Sequence, residues 1–523
     1  MSDAHTPQGP SKGTFWLTSL LLPPAGIVLL WMRRGPSWFT KLGGTLLLGV
    51  LTLAYSYFIL TRFFDMRIEM AGSGAPTMIS FGKPEDHFAE LEKARAAQPA
   101  TPQPVSQPVP QQAAAATQPA KSEPAPASAA AQPAASRASA YWADFRGPGR
   151  KGVYDQTPIL TNWPAGGLRQ LWKQPVGGGY ASFAIADGRA YTIEQRRDQE
   201  VVAAYDVTTG RELWTNAWNA HFQESMGGNG PRATPVWDDG RIYALGAAGE
   251  LRCLDAATGK LLWNKNILAD NDAENITWGM AASPLIVDGK VIVQPGGHRG
   301  RSVVAYNKLT GEAVWRSQND AQSYTSPMVA TVAGRRQILT VSAERMMGLS
   351  IEDGALLWSY PWRTAYNINS SQPVVVDETH VLVTAGYDHG AALVRVTRDG
   401  NSFRAEAGWE NNSLKGRFNS PVLHNGYIYG FDESIFACID ARTGQRKWKG
   451  GRYGYGQVIL AGDHLVITTE TGDVVLVRAT PERHEEVARF SAIEGKTWNH
   501  PAIADGVLLV RNTREMAAFR LAP

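Results

Sequence analysis

A short pattern recurs through the C-terminal part of the chain and constrains its fold more than any other feature. In this pattern an Asp or Asn is followed at a fixed spacing by Thr-Gly and then by Trp. The clear copies span residues 206–214, 255–263, 307–315 and 440–448; 352–358 is a weaker copy and 399–409 a degenerate one. Asp or Asn can start a turn by hydrogen bonding to its own backbone, and Gly supplies the positive φ that the turn needs. Each copy therefore predicts a hairpin whose second strand brings an aromatic side chain between neighbouring sheets.

The spacing of the copies predicts the architecture. The copies carry Trp at positions 214, 263, 315, 358, 409 and 448; Trp172 lies one period before the first copy, and an eighth position falls near Val487, where Trp is lost. Two further strands precede each copy, as in 233–237 followed by 240–245. A period of about 40 to 50 residues is typical of a four-stranded propeller blade. We therefore expect an all-β fold, an eight-bladed β-propeller of four-stranded blades, over residues 141–523.

The two ends of this repeat region indicate how the ring closes. Trp172 comes before any complete blade, and the last strands, within 501–521, lack a strand that carries Trp. The sequence predicts that the strand around Trp172 completes the last blade, which closes the ring and removes its open edges. A linear solenoid is the alternative, but it would need capping repeats that the sequence does not show.

Two apolar segments near the N-terminus, about 14–32 and 42–60, predict a membrane anchor within residues 1–64. Each approaches the ~20 residues that a helix needs to span a bilayer. Arg33, Arg34 and Lys41 lie between them, and positive loops face the cytoplasm. We therefore expect a transmembrane helical hairpin in the inner (cytoplasmic) membrane, with the propeller in the periplasm or outside the cell. Pro23 and Pro24 leave open whether the first segment spans or is re-entrant, and a cleaved signal peptide fits poorly.

The region between the anchor and the repeats is divided by composition. Residues 65–98 predict a small juxtamembrane adaptor, with a short strand at 66–70 and a charged helix at 85–97. Residues 99–140 consist mostly of Ala, Pro, Gln and Ser, which cannot bury enough apolar surface to fold. They predict a disordered linker that the prolines keep semi-extended.

Charge and cysteine usage exclude several classes of function. The net charge is only +3, without the basic stripe that nucleic-acid binding calls for, so no nucleic-acid partner is expected. The two cysteines, Cys253 and Cys438, occupy the same place in their respective repeats, where other copies have Ala. This pattern predicts buried core residues and neither a disulfide framework nor a metal site.

The repeat closely resembles the pyrroloquinoline quinone (PQQ) repeat, Ala-x-Asp-x-x-Thr-Gly-x-x-x-Trp, of the quinoprotein alcohol dehydrogenase-like propellers. Residues 141–153 also resemble the segment that precedes the first blade in that superfamily. The resemblance extends to membrane-anchored PQQ-binding-like repeat proteins. The same repeat serves quinoprotein dehydrogenases, which hold the quinone in the central funnel. It also serves the propeller lipoprotein of the outer-membrane barrel-assembly machinery, which binds proteins without catalysis. The resemblance therefore implies the fold and leaves the function open.

The features that resemblance to a quinone enzyme implies are incomplete in this sequence. Quinoprotein alcohol dehydrogenases usually have adjacent cysteines that form a disulfide against the quinone, and this chain has no such pair and no Cys-x-x-Cys-His. Asp388 and Glu433 are possible calcium ligands but follow no recognisable motif. We therefore expect no cofactor, with PQQ and calcium as the alternative.

Propeller topology predicts where a site would lie. The loops that lead into the inner strands share one face with the loops between second and third strands, and both sets are polar and aromatic. Their glycine-rich member, 227–235, permits close approach to the axis. The predicted binding residues on this face are Glu224, Asn229, Arg232, Trp278, Tyr324, Glu344, Arg345, Asn367, Asp388, Asn419, Tyr455, Trp498 and Asn499. The alternative is that these side chains only fill and solvate the mouth of the channel.

These observations favour a membrane-tethered periplasmic propeller that acts as a binding or scaffold module for a protein or envelope component. Aromatic residues beside Arg and Asn are typical of binding rims. The alternative is a PQQ-dependent dehydrogenase that oxidises an alcohol or sugar in the funnel. Hydrolysis lacks a nucleophile and base, and no catalytic or metal-binding residue is predicted.

Overall fold

The computed structural model describes residues 12–33, 35–64, 66–70, 76–80, 87–98 and 141–523. The predicted linker, 99–140, lies outside these described residues. The chain divides into two compact units, residues 1–85 and 86–523.

The first unit contains three helices and a small hairpin. The helices are α1 (Lys12–Leu21), α2 (Pro23–Met32) and α3 (Trp38–Phe63), and the hairpin pairs β1 (Arg67–Met70) with β2 (Pro76–Ser80). Of the two predicted apolar segments, the second forms α3, the one helix among the described residues that is long and apolar enough to cross a membrane. The first is broken at Leu22, because the two prolines that follow start a new helix and lack amide donors. Each half is only about 15 Å long, half the thickness of a hydrocarbon core.

The second unit begins with α4 (His87–Ala96), which agrees with the predicted charged helix, and continues with the propeller. Blades 1 to 4 follow in chain order. Blade 1 contains β5 (Ala184–Ala186), β6 (Arg189–Arg196), β7 (Gln199–Asp206) and β8 (Glu212–Asn219). Blade 2 contains β9 (Val236–Asp238), β10 (Arg241–Leu245), β11 (Glu250–Asp255) and β12 (Leu261–Asn266). Blade 3 contains β13 (Leu285–Val287), β14 (Lys290–Val293), β15 (Val303–Asn307) and β16 (Ala313–Ser317). Blade 4 contains β17 (Met328–Val332), β18 (Arg335–Val341), β19 (Arg345–Leu349) and β20 (Leu356–Pro361).

Blades 5 to 8 complete the ring. Blade 5 contains β21 (Val374–Val375), β22 (His380–Ala385), β23 (Gly390–Asp399) and β24 (Ser402–Asn411). Blade 6 contains β25 (Val422–His424), β26 (Tyr427–Asp432), β27 (Ile435–Asp440) and β28 (Arg446–Arg452). Blade 7 contains β29 (Gln457–Ala461), β30 (His464–Thr468), β31 (Asp473–Arg478) and β32 (Glu486–Ser491), and β3 (Val153–Tyr154) pairs with β29 in parallel. Blade 8 contains β33 (Ala502–Ala504), β34 (Val507–Arg511), β35 (Glu515–Arg520) and β4 (Gln170–Pro175).

The predicted architecture is confirmed: eight blades are present, and strands that follow one another in a blade are hydrogen-bonded neighbours. The predicted closure is also confirmed, because β4 supplies the fourth strand of blade 8 and pairs Trp172 with Ala518 of β35. In blade 7 the place of the lost Trp is taken by Ala488, next to the predicted Val487. The chain thus joins its first propeller strand to its last, and the ring has no open blade.

The Trp and Thr-Gly elements of the repeat interact between neighbouring blades. Trp263 of blade 2 donates its indole N–H to the carbonyl oxygen of Lys308 in blade 3, at 3.0 Å. Its ring lies on Gly311 of the same turn, where φ is +73° and a β-carbon would come within 2.8 Å of the ring. Trp172 repeats this contact across the closure of the ring, on Gly210 of blade 1. The turn therefore needs Gly both for its backbone conformation and for the space above it.

The hydrophobic core consists of clusters between adjacent blades, built from the alternating inward side chains of the strands. Cys253 and Cys438 are free thiols buried in these clusters, as the repeat predicted. Burial raises the pKa of the Cys438 thiol to about 12. Both side chains thus behave as small apolar residues.

Helix α4 lies across the seam where the ring closes. Its Leu91 is buried, with 3% of its surface exposed. The His87 ring lies 2.7 Å from the carbonyl oxygen of Val176, just after β4. Arg95 forms an ion pair of 2.6 Å with Glu212, the first residue of β8. The helix therefore connects blade 8 to blade 1 from outside.

Candidate binding site at the mouth of the propeller

The course of each blade separates two faces. The loops that lead into the inner strands share one face, here called the mouth, with the connections between second and third strands. The Thr-Gly turns lie on the opposite face, because each blade has four strands that alternate in direction. Every predicted binding residue is in a segment that belongs to the mouth.

A ring of polar side chains surrounds the axis just below the mouth. Gln457, which begins its inner strand, and the residues two positions before the other seven inner strands form it: Ser182, Thr234, Ser283, Ser326, Gln372, Ser420 and His500. We call it the inner ring. Hydroxyl groups of the ring accept hydrogen bonds from the amide of the preceding blade, as Thr234 does from Ser182, at 2.9 Å. The Ser182 hydroxyl donates to the carbonyl oxygen of His500 at 2.7 Å and links blade 1 to blade 8. The ring thus satisfies buried backbone groups where eight strands converge.

The segment before the first blade, residues 141–152, lies on the other side of the inner ring, and we call it the plug. Its main chain accepts hydrogen bonds from amides within three inner strands, those of Ile185, Trp237 and Leu460 in blades 1, 2 and 7. The ring of Phe145 packs edge-on against His500 of blade 8, with centroids 5.0 Å apart.

Two buried arginines of the plug reach the remaining blades. Arg150 donates to the carbonyl oxygens of Ser283 and Pro284 in blade 3 and Pro327 in blade 4. Arg146 donates to the carbonyl oxygens of Ser420 and Pro421 in blade 6, both at 3.0 Å, and lies 3.5 Å from the Gln372 amide oxygen in blade 5. The plug therefore contacts all eight blades and occupies the axis away from the mouth.

Close contacts within the plug require glycine at two positions. A β-carbon at Gly147 would come within 2.5 Å of the Trp142 ring, and one at Gly152 within 2.5 Å of the Arg146 guanidinium. Arg146 and Arg150 both have φ of +60°, which an L-residue adopts at a cost of about 1 kcal/mol. This strain is offset by the carbonyl groups that both side chains satisfy.

On the mouth side, four aromatic side chains form a contiguous group that we call the aromatic cluster. It comprises Tyr180, Phe418, Tyr455 and Trp498, from blades 1, 6, 7 and 8. The ring centroids of Phe418 and Trp498 are 4.6 Å apart, those of Phe418 and Tyr455 5.4 Å, and those of Tyr180 and Trp498 5.3 Å. Each residue lies two positions before a member of the inner ring, so the repeat itself aligns them. Burial raises the pKa of Tyr455 to about 12 and keeps the phenol neutral.

Three cations border the aromatic cluster. Arg417 lies over the rings of Tyr387 and Tyr455, at 4.3 and 4.8 Å from their centroids. Lys496 lies 4.3 Å from the centroid of Trp498. Arg232 lies 5.4 Å from that of Tyr180. Such cation–π pairs are worth about 0.5–2 kcal/mol each, and the larger value applies where water is excluded.

Carboxylates hydrogen bond to the aromatic cluster and to the glycine-rich loop beside it. Glu470 accepts a hydrogen bond from the Trp498 indole at 2.9 Å, and Glu433 accepts one from the Tyr455 hydroxyl at 3.3 Å. Glu224 forms an ion pair of 3.1 Å with Arg232 and accepts the amide of Gly228 at 2.7 Å. The glycine-rich loop is thus folded around its own Glu–Arg pair.

The predicted residues fall into three groups, and their role in binding stays a prediction. Those that the structure brings into or beside the aromatic cluster are Tyr455, Trp498, Arg232 and Glu224, while Trp278 and Tyr324 pack on each other at 5.6 Å. Those with evident structural roles are Asn419, Asn499, Arg345 and Glu344: the amides are buried and bonded to carbonyl oxygens, and the other two pair with Asp320 and Arg363. The remaining three, Asn229, Asn367 and Asp388, are exposed on loops.

The sequence prediction missed Tyr180, Phe418 and Lys496. The first two could have been found from the repeat, because each lies two residues before a Ser at the entry to an inner strand. Lys496 is placed by the loop between β32 and β33, for which the repeat gives no signal.

The mouth fits PQQ and calcium poorly. Lys415 lies 3.0 Å from Asp388 and 3.6 Å from Asp432, and the nearby negative charges hold its pKa above the usual range despite partial burial. A cation at this place competes with calcium for the carboxylates. The rings of Phe418 and Trp498, with centroids 4.6 Å apart, would also have to separate to admit a planar quinone between them. Among the described residues, no group of three or more His, Cys, Asp or Glu side chains that could hold a metal is found.

Fold and repeat together define the class: the chain is a β-propeller built from repeats of the PQQ type, as its sequence predicted. Residues 197–450, just under half of the chain, match the family model described as outer membrane protein assembly factor BamB. The chain is 23% identical to the BamB of Burkholderia pseudomallei over 327 residues, which are 59% of this chain and 78% of that protein. It is also 31% identical to the quinohemoprotein alcohol dehydrogenase of Comamonas testosteroni over 147 residues. That match covers 26% of this chain but only 19% of the dehydrogenase.

Two solved structures superimpose on the chain with TM-scores below 0.5. The crystal structure of BamB from Moraxella catarrhalis superimposes with a TM-score of 0.49 and 16% identity, over 68% of this chain and 98% of that one. The quinohemoprotein alcohol dehydrogenase of Comamonas testosteroni gives a TM-score of 0.43 and 15% identity, over 72% of this chain and 80% of that one.

Proposed function

We propose that the protein is a binding or scaffold module whose propeller mouth holds a protein partner or another component of the cell envelope. The observation that carries this proposal is the aromatic cluster with its border of Arg417, Lys496 and Arg232. Aromatic and Arg side chains are the residues that most often dominate binding energy in protein interfaces. Their polar surroundings are typical of the rim of such an interface.

The exposed apolar side chains of the mouth support a protein partner. Tyr366, on the loop leading into blade 5, is 71% exposed, and Met226, on the loop leading into blade 2, is 73% exposed. Tyr366 packs edge-on against Tyr387, 5.8 Å away, and so continues the row of rings that begins at the aromatic cluster. Large apolar groups that remain in water beside a polar rim mark an interaction surface.

The membrane anchor is part of the proposal. Helix α3 is long enough to cross a bilayer, and most of its apolar side chains, including Phe39, Leu46 and Leu53, are exposed within the described residues. The positive charges at the start of this helix, Arg33 before it and Lys41 in its first turn, favour a cytoplasmic start. We infer that the propeller lies on the other side of the inner membrane, in the periplasm. The similarity to BamB, named as an outer membrane protein assembly factor, suggests envelope proteins as partners.

The alternative function is a PQQ-dependent dehydrogenase acting on an alcohol or sugar. It is supported by the local identity to quinohemoprotein alcohol dehydrogenases and opposed by the poor fit of the mouth to quinone and calcium. The full chain, purified in detergent, would be incubated with PQQ and calcium and assayed for its absorbance spectrum and for dye-linked alcohol oxidation. Stoichiometric quinone retention with turnover would establish the enzyme and contradict the scaffold.

The scaffold itself is tested by chemical cross-linking in intact cells. A mouth variant, Arg417→Ala with Trp498→Ala, is compared with the wild type and with a control, Leu262→Ala with Val314→Ala, on outer strands. We expect the mouth variant to lose at least about tenfold of the cross-linked envelope proteins that the wild type captures, since truncating such residues costs more than ~1 kcal/mol each. Equal recovery from all three proteins at equal abundance would contradict the proposal.

A further inference from the structure

The outer strand of blade 6, β28, concentrates positive charge on one flank of the ring. Residues 441–462 contain no Asp or Glu and five cations, namely Arg442, Arg446, Lys447, Lys449 and Arg452. All five side chains are exposed. Four of them belong to β28, whereas each of the other seven outer strands carries at most one cation. Protection of an exposed strand edge by charge therefore does not explain four cations here.

Two cations of β28 and one from the loop leading into blade 6 surround a single carboxylate. Asp432, the last residue of β26, is buried, with 2% of its surface exposed. Its Oδ2 atom accepts hydrogen bonds from Lys449 Nζ at 2.6 Å and from Arg446 Nη2 at 2.8 Å. Lys415 Nζ lies 3.6 Å from its Oδ1 atom. These distances bring the three cations together around one carboxylate, and we call them the blade-6 basic cluster.

The blade-6 basic cluster keeps positive charge that faces water. Asp432 neutralises one of its three cations, and Asp388 pairs with Lys415 at 3.0 Å. The side chains of Arg446 and Lys449 are 37% and 30% exposed, so a partner can reach both from solvent. The remaining cations of β28 are exposed and extend this charge along the strand. The flank of blade 6 therefore complements a partner that carries several negative charges in a row.

We propose that the blade-6 basic cluster, with the rest of β28, docks an acidic segment of a partner protein. Carboxylates suit this surface because its three cations already converge on one. Contact with anionic lipid headgroups would call for exposed apolar side chains that enter the bilayer, as interfacial segments have. No large apolar side chain is exposed in residues 441–462, all of which the structure describes. This flank lies outside the aromatic cluster, so its failure to bind would leave the function proposed for the mouth intact.

The first test measures binding of an acidic peptide to the full chain in a neutral detergent. The anisotropy of fluorescein-labelled decaglutamate should rise saturably with protein concentration, and that of labelled decaglutamine should not. Lys447→Gln with Arg452→Gln leaves the contacts of Asp432 in place and should weaken decaglutamate binding about tenfold, since each exposed ion pair contributes modestly. Lys260→Gln with Lys265→Gln removes the same charge from blade 2 and should change the affinity by less than about twofold. No binding of decaglutamate, or equal losses in both variants, would overturn the proposal.

The second test identifies the occupant in the cell. Membranes that contain the full chain are treated with a water-soluble carbodiimide, which joins a Lys amine to a contacting carboxylate, and the links are mapped by mass spectrometry. A link between Lys415 and Asp388, whose charged atoms are 3.0 Å apart, is the internal control. We expect links from Lys447 or Lys449 to an acidic peptide of another protein. The internal link without any link from these two residues to another protein would overturn the proposal. Displacement of labelled decaglutamate by dihexanoyl phosphatidylglycerol at a lower concentration than by unlabelled decaglutamate would also overturn it and assign the surface to lipid.

Discussion

At the scale of single residues, Glu200 is the carboxyl group whose charge is least compatible with its surroundings. It lies between blades 1 and 2, is fully buried, and accepts the amide of Ala247 at 2.8 Å. Burial raises its pKa from 4.5 to about 7. Between pH 4.5 and 7 the folded protein therefore keeps a proton that the unfolded chain releases, so stability falls as the pH rises through this window.

Glu200→Gln should remove this pH dependence, because the amide oxygen can accept the same hydrogen bond without a charge. We expect the variant to be more stable than the wild type at pH 8, by up to about 3 kcal/mol, and to gain little at pH 4.5. Urea unfolding across this pH range measures the effect, with Glu378→Gln, at an exposed position, as the control. A parallel pH profile for wild type and Glu200→Gln would show that Glu200 is not the group responsible.

Gly311 tests the contact between Trp and Thr-Gly turns. Gly311→Ala should destabilise the propeller by about 2–4 kcal/mol, since it combines a strained φ with displacement of the Trp263 ring. Gly289→Ala is a matched control, because its φ of +74° is almost the same but no atom lies within 4 Å of the added β-carbon. The control should lose only about 1 kcal/mol. Equal losses in thermal unfolding would mean that the Trp contact contributes nothing.

At the scale of elements, α4 should be a separable support for the ring closure. Replacing its buried Leu91 by Ser removes about 1.5–3 kcal/mol of apolar burial, more than a short helix can recover by itself. Hydrogen exchange should then increase across residues 87–98 and remain slow in the inner strands. Leu309→Ser, at an exposed turn, is the control. Unchanged exchange in α4 would indicate that its ion pairs alone hold it on the propeller.

The elements also show where the sequence was sufficient. The repeat period predicted the blade strands, and the misplaced Trp172 predicted the closing strand, because both follow from local patterns of turn and burial. The contacts of the plug were not predictable in this way: Arg146 and Arg150 meet carbonyl groups that lie more than a hundred residues away in sequence. The aromatic cluster likewise depends on the closure of the ring, which makes blade 8 the neighbour of blade 1. Pro23 and Pro24 explain why the first apolar segment forms two short helices. The sequence had left open whether this segment spans the membrane or is re-entrant.

At the scale of the whole molecule, the anchor and the propeller are predicted to be independent. Deletion of residues 1–64 should move the protein from the carbonate-resistant membrane fraction to the soluble fraction and leave the β-sheet contribution to its circular dichroism unchanged. The physical reason is that the core of each blade lies within the second unit. A truncated protein that still sediments with membranes would show that another surface binds the bilayer.

The whole-molecule account depends on one face of the ring being the docking surface. A photo-reactive benzoylphenylalanine at Tyr366, 71% exposed at the mouth, is compared in intact cells with the same residue at Leu309, 52% exposed on a Thr-Gly turn of the opposite face. We predict discrete cross-linked adducts with envelope proteins from position 366, and none of these adducts from position 309. Adducts of the same identity and yield from both positions, or from position 309 alone, would contradict a binding module that works through its mouth.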